Sequence, residues 1–170
     1  MSRPQTGEYN QAVLPYIELT KGSSVGELIA NHSAFLLGFV EQIPEEKATY
    51  SYAEGKWSVK EVLQHVIDME RVFAFRALCI ARGFTGDLPG VDQDSFAKSQ
   101  RSKYRPFSDL QEEFMAMRYD HNILFRSFDK QALESVGMVN GHASSCNSWI
   151  YTSYGHTLYH IKLLRERYGL

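Results

Sequence analysis

Cysteine is scarce in this sequence, which contains Cys79 and Cys146 and no CxxC pair. Two isolated thiols do not make a disulfide framework, and their spacing excludes the usual cysteine-based zinc sites. An excess of either charge is also missing, since the formal net charge is −2 and the pI is near 6.3. A protein that neutralises many phosphates needs a basic surface, so we expect no nucleic acid partner. The only compact basic cluster is RSKYR at 101–105.

Long apolar runs are absent as well. No stretch of about 18 apolar residues occurs, and the first residues, MSRPQTGEYNQ, lack the apolar core of a signal peptide. We therefore expect a cytoplasmic protein with no membrane partner. The sequence also lacks GxSxG, P-loop, dinucleotide-binding and HExxH motifs, which leaves nucleophilic-serine and nucleotide chemistry without support.

The composition that remains is that of a globular domain. Hydrophobic residues make up 44% and charged residues 22% of the 170 residues, a balance typical of globular proteins. A chain of this length buries about two-thirds of its unfolded surface in one core, so a metal is not needed merely to hold it together. We predict a single domain over residues 1–170, of which 1–22 form an N-terminal extension.

Apolar residues recur at helical spacing in four segments. Three of them begin with a capping box, in which a serine oxygen and a Glu or Gln side chain each satisfy a free backbone N–H. These boxes are Ser24 with Glu27, Ser58 with Glu61, and Ser108 with Gln111. The fourth helix is predicted over residues 149–168, with Asn147 or Ser148 as its cap and Gly169 at its end.

The connections between these segments are long. Residues 83–106 contain GFTGDLPG and a short helical pattern near 92–98, and no connection shows strand-like alternation over more than a few residues. Long connections allow neighbouring helices to run parallel. The sequence therefore predicts an all-α protein, a four-helix bundle with long crossover connections.

Three histidines are the candidate metal ligands. His156 and His160 are four residues apart, so a helix projects both imidazoles from one face, where they form half of a metal site. If His65 faces them from a second helix, the three leave coordination positions open, as a catalytic metal requires. His32 and His121 also lie on apolar stripes, and either is an alternative third ligand. The simpler interpretation of the pair is two partly buried, hydrogen-bonded histidines.

Other polar residues near these helices have two interpretations each. Asp68 follows His65 by one turn, where a carboxylate either orients an imidazole or accepts a proton, or is merely solvated. Arg71, Arg76 and Arg82 either bind an anionic substrate or pair with carboxylates such as Glu70.

Three segments carry a resemblance to a known family: GKWSVKEVLQHVIDMERVFAFRALCIARG, LPGVDQDSF and SWIYTSYGHTLYHIKLLRERYG. They resemble the DinB-like family, part of the superfamily of DinB/YfiT-like metal-dependent proteins. The resemblance implies a four-helix bundle in which a histidine in WSxxxxxxH and two in HxxxH bind a divalent metal, commonly zinc or nickel. Here these are His65, His156 and His160. Asp68 matches a common acidic position, and His32 and His121 become structural residues or hydrogen-bonding neighbours of the metal ligands.

The resemblance also implies a chemistry and an assembly. Some members resemble thiol S-transferases that use bacillithiol, mycothiol or glutathione as cosubstrate, and others are regarded as metal-dependent hydrolases. Homodimers are common in the family, so we expect one. The hypothesis is a divalent-metal-dependent enzyme that activates a thiol or water against a small-molecule substrate. The alternative is a non-catalytic, metal- or ligand-binding dimeric bundle that acts as a sensor or interaction protein.

Overall fold

Four long helices form the body of the computed structural model, which describes residues 3–170; residues 1 and 2 of the predicted domain lie outside the described residues. In chain order the helices are α1 (Leu14–Leu19), α2 (Val25–Glu41), α3 (Val59–Ala81), α4 (Gln93–Ser99), α5 (Phe107–Arg126), α6 (Lys130–Glu134) and α7 (Cys146–Tyr168). The predicted four-helix bundle is confirmed, with α2, α3, α5 and α7 as its members. Within residues 3–170, no helix is both long and apolar enough to span a membrane.

Neighbouring helices of the bundle run antiparallel in some pairs and parallel in others. Gln111 near the start of α5 donates to the carbonyl of Val40 near the end of α2 (2.8 Å), so these two helices are antiparallel. Lys60 at the start of α3 donates to the carbonyl of Arg105, just before α5, so α3 and α5 run parallel. The long connection over 82–106 makes this possible, as the sequence predicts.

A small sheet joins two of the connections, and the sequence analysis did not predict it. Its strands are β1 (Asp87–Leu88), β2 (Val136–Val139) and β3 (His142–Ser145), with β1 parallel to β2 and β2 antiparallel to β3. Each strand is too short to show alternation. The overlooked signal was Asn140-Gly141 between β2 and β3, where both residues have positive φ (51° and 74°), as a tight hairpin turn requires.

Two predicted helix starts are wrong and two are correct. Ser58 and Ser24 cap α3 and α2, each accepting a hydrogen bond from the backbone of the residue three positions on. α5 begins at Phe107, which is fully buried, with Pro106 rather than Ser108 at its cap position. α7 begins at Cys146 with Ser145 as its cap, because β3 delivers the chain directly into the helix. Neither Asn147 nor Ser148 is therefore the cap.

The predicted N-terminal extension contains α1, which packs closely on α7. The contact depends on Gly155, because a Cβ there would collide with the carbonyl oxygen of Tyr16 and lie 3.0 Å from its Cα. Backbone atoms of two helices meet at this point, so no flexible side chain can make room. Gly155 thus fixes how near α1 approaches α7.

Gly155→Ala is expected to lower the free energy of unfolding by about 1–3 kcal/mol, because overpacking forces α1 away from α7. Urea denaturation measures the change. Gly38→Ala is the matched control, since Gly38 lies inside α2 and a Cβ there meets nothing within 4 Å. That control should stabilise the protein by up to about 1 kcal/mol through helix propensity. Equal effects of the two substitutions would contradict the close approach.

Candidate metal centre

Three buried histidines meet where α3 packs against α7. His65 lies on α3, and His156 and His160 lie one turn apart on the facing side of α7. The Nε2 atom of His156 lies 3.2 Å from the Nε2 atom of His65 and 3.2 Å from that of His160. Ligand atoms of the three residues all lie within 4.8 Å of one another. The structure therefore brings together the three residues that the sequence singled out.

Hydrogen bonding alone does not account for this arrangement. A neutral imidazole nitrogen offers either one proton or one lone pair, so the central Nε2 of His156 makes one good hydrogen bond, whereas it has two close partners. Two nitrogens at about 2.0–2.1 Å from one tetrahedral ion lie about 3.3 Å apart, close to the observed separation. The donor set thus fits a divalent ion, and three protein ligands leave at least one coordination position open.

Burial keeps these imidazoles neutral. It lowers the pKa of His65 to about 4 and the pKa of His160 to about 3, with the charge of His65 adding to the effect on His160. Burial also lowers the pKa of His156 well below its ordinary value, aided by the two neighbouring histidines. At neutral pH each ring therefore keeps a lone pair, which a metal requires.

Acidification is expected to destabilise the metal-free protein between pH 6.5 and about pH 3. Below pH 6.5 the unfolded chain protonates both histidines, whereas the folded chain keeps His65 neutral down to its pKa of about 4 and His160 down to its pKa of about 3. The stability that the two neutral histidines contribute is complete above pH 6.5. It is lost as the pH falls, at up to about 1.4 kcal/mol per pH unit for each histidine. Chemical denaturation of chelator-treated protein over this range measures the slope. His160→Gln should make it shallower, and an unchanged slope would contradict the assignment.

Aromatic side chains enclose the three rings. Trp57 lies 5.0 Å from His65 between ring centroids, and Tyr16 and Phe73 each meet His156 edge-on at 5.3 Å. A pocket of about 390 Å³, here called the histidine pocket, opens onto His65 and His160. Five aromatic side chains line it as well, namely Tyr16, Tyr52, Trp57, Tyr159 and Tyr168, together with polar residues such as Lys56 and Gln93. A small molecule in this pocket would lie against two of the three histidines.

Asp94 is a carboxylate of this pocket that the sequence analysis did not single out. It lines the histidine pocket, and its negative charge raises the pKa of His65, although burial outweighs that effect. Asp92 caps α4 by accepting from the backbone of Asp94 (3.0 Å), and this start of the helix sets the position of Asp94. The available signal was the segment LPGVDQDSF, which carries the acidic residues but does not show where they point.

Asp68, the carboxylate that the sequence did predict, has a different environment. It accepts a hydrogen bond from Gln64 Nε2 (2.8 Å) and lines a neighbouring pocket with Arg71 and Phe96. Burial raises the pKa of Asp68 above its ordinary value, which makes the carboxylate more basic. Its role as a base beside a metal site stays a prediction.

Glu70 organises a buried polar network beside the site. Its carboxylate is fully buried, pairs with the equally buried Arg118, and accepts hydrogen bonds from the hydroxyls of Ser153 (2.6 Å) and Thr157. It also lies 3.3 Å from Nδ1 of His121. A carboxylate only accepts, so this nitrogen carries the proton. The network occupies the core between α3, α5 and α7.

The remaining candidates from the sequence have structural partners. His32 accepts a hydrogen bond from the backbone of Lys21 (2.7 Å), and His121 contacts Glu70, so neither joins the three-histidine cluster. The three arginines on α3 and at its C-terminal end also have partners within the chain. Arg71 pairs with Glu113 (2.5 Å), and Arg76 donates to the carbonyl of Pro89 (2.9 Å). Arg82 lies over the ring of Phe128 (5.7 Å).

Known proteins share this fold. Residues 29–164, which include all three histidines, match the family model described as DinB superfamily. The chain is also similar in structure to YfiT from Bacillus subtilis, described as a probable metal-dependent hydrolase with an unusual four-helix bundle topology. That likeness has a TM-score of 0.65 at 17% sequence identity and covers 98% of this chain and 93% of that chain. No functionally curated protein matches the sequence.

Proposed function

The chain belongs to the DinB superfamily, and from this premise we propose that it is a divalent-metal-dependent enzyme of the thiol S-transferase or hydrolase type. The observation that carries the proposal is the convergence of three neutral Nε2 atoms beside an open pocket. Zinc or nickel is the expected ion, held by His65, His156 and His160. When bound, such an ion lowers the pKa of water or of a thiol and so supplies a nucleophile at neutral pH.

The residues around the pocket have separate roles in this proposal. The three histidines would hold the ion, and the aromatic side chains of the pocket offer an apolar surface to a small molecule. Asp94 lines the same pocket as His65, where its carboxylate would accept the proton that a bound nucleophile loses. Asp68 is the second candidate for this role, through its position one turn from His65.

The alternative is a non-catalytic metal- or ligand-binding bundle. A fourth protein ligand would close the site and favour that alternative. In the part of the chain that the structure describes, the cluster contains three potential ligands and no fourth histidine, cysteine or carboxylate. This supports the enzyme. The homodimer, the low-molecular-weight thiol and the cytoplasmic location stay predictions.

Two assays on zinc- or nickel-loaded protein test the proposal. Hydrolysis of nitrophenyl acetate in thiol-free buffer reports water activation, and transfer of N-acetylcysteine to monochlorobimane reports thiol activation. The His156→Ala/His160→Ala variant is the background for both assays. A rate above that background in the first assay supports a hydrolase. A rate above background in the second assay alone supports a transferase. Metal-loaded protein with neither rate would favour the non-catalytic bundle.

A further inference from the structure

A second cavity adjoins the histidine pocket. Its volume is about 670 Å³, and it lies between the start of α3, α4 and the 3₁₀ turn Ser102–Tyr104. Trp57 and Asp94 line both cavities and so form their common border. A molecule in the second cavity would therefore have a route to the histidines past these two side chains.

Three cations line this second cavity, here called the basic cavity, and two of them, Arg101 and Lys103, lie over the ring of Tyr104 (5.8 and 4.9 Å). Lys98, Arg101 and Lys103 reach it from α4 and the 3₁₀ turn. Among residues 3–170, none of the three lies within 4.0 Å of a carboxylate. Arg105, from the same RSKYR cluster, is by contrast paired with Glu113 and donates to Gln64 (2.9 Å). The structure thus divides the one basic cluster of the sequence into a structural arginine and cations that face a cavity.

A buried hydroxyl at the wall of this cavity lacks a partner. Ser102 lines the cavity, only 1% of the residue is exposed, and its Oγ has no hydrogen-bond partner among the described residues. A buried hydroxyl without a partner costs free energy, and an anion that accepts its proton removes that cost. The serine and the three cations offer donors and positive charge to the same class of ligand.

Two carboxylates, Glu61 and Asp94, line the basic cavity beside the three cations, so a net positive charge remains. Glu61 is engaged in the capping box, where it accepts from the backbone and the hydroxyl of Ser58 (2.7 Å each). Asp94 lies at the border with the histidine pocket. The two cavities together are therefore cationic at one end and carry the metal-binding histidines at the other.

We propose that the basic cavity binds the carboxylate or phosphate end of an elongated small-molecule substrate, whose reacting end enters the histidine pocket past Trp57. This inference rests on the proposed function, because it names the substrate class of the same site. The cavity volumes of about 670 and 390 Å³ are in the range of known ligand sites. The anionic end is recognised by Lys98, Arg101, Lys103 and the Ser102 hydroxyl.

The first test uses metal-free protein, so that it does not depend on the metal site. Calorimetric titration compares benzoate, phenyl phosphate and neutral benzamide. At least one of the two anions should bind about tenfold more tightly than benzamide. Hydrogen bonds to charged groups contribute enough free energy for a tenfold or larger difference in affinity. The anion that binds more tightly identifies the carboxylate or the phosphate as the preferred group.

Matched variants locate the binding. Lys98→Gln/Arg101→Gln/Lys103→Gln should remove the preference for the anion, and Ser102→Ala should weaken anion binding about tenfold without lowering stability. Lys21→Gln/Lys130→Gln/Lys162→Gln removes the same charge away from the cavity and should leave binding unchanged. Equal binding of benzamide and the anions, or equal losses in the two triple variants, would overturn the basic cavity as an anion site.

A second test asks whether one molecule spans both cavities. Visible absorption of cobalt-loaded protein reports binding of mercaptopropionate, mercaptohexanoate and mercaptooctanoate, each compared with the mercapto-alcohol of equal length. An acid long enough to reach the cations should bind more tightly than its alcohol, and the cavity triple variant should abolish the difference. No acid preference at any length would overturn the spanning substrate. A protein that binds no cobalt but still prefers anions in the first test would refute the proposed function and leave the anion site.

Discussion

Alanine at both His156 and His160 is expected to reduce bound metal from near one ion per chain to an undetectable level. The two residues supply two of three converging nitrogens, and the remaining His65 offers a single imidazole. Loss of a mere hydrogen-bonding neighbour of a metal ligand costs about 10–100-fold in affinity, so loss of two ligands should cost far more. Elemental analysis of untagged protein, before and after incubation with zinc or nickel, measures the stoichiometry.

Single variants separate this site from the alternatives. His65→Ala should also lose the metal, whereas His32→Gln and the exposed His142→Ala should retain it. Circular dichroism must show that each variant keeps its helices. Retention of a full equivalent of metal by the folded double variant would refute the three-histidine centre.

The second large effect is expected at Glu70. Glu70→Ala leaves the fully buried Arg118 without its carboxylate, and removal of one partner of a buried ion pair costs about 3–5 kcal/mol. The hydroxyls of Ser153 and Thr157 lose their acceptor at the same time. Urea denaturation measures the change in the free energy of unfolding.

Two further variants show whether the buried charge causes that loss. Glu70→Ala/Arg118→Met removes both charges and should be more stable than Glu70→Ala alone, because a buried pair replaced by apolar residues is often neutral. Glu113→Ala is the matched control, since this less buried glutamate pairs with Arg71 and Arg105 near the surface. It should cost about 0–1 kcal/mol. A Glu113 effect as large as that of Glu70 would contradict the explanation.

Much of the bundle and half of the candidate centre follow from short-range patterns. The spacing of His156 and His160 places both rings on one face of a helix, independently of how the rest of the chain folds. Likewise, the capping box at Ser58 depends on residues three positions apart. Such signals are local, so they can be recognised without knowledge of how the helices pack.

The choice of the third histidine is a different kind of problem. His32, His65 and His121 all lie on buried helix positions, and only packing brings His65 to α7 while Glu70 engages His121. In the sequence analysis it was the family resemblance that favoured His65. Asp94 and Ser102 escaped notice for a related reason, since both belong to a connection whose path over α3 is set by contacts distant in sequence.

The close approach of α1 to α7 places a residue from outside the family match in the wall of the histidine pocket. The family match covers residues 29–164 and hence all three histidines, whereas Tyr16 lies outside it and still forms a wall of the histidine pocket. Tyr168, beyond the other end of the match, forms another. A substitution in either flank can therefore reshape the histidine pocket without altering the three histidines. The shape of the pocket can thus change while the bundle and the three histidines stay the same.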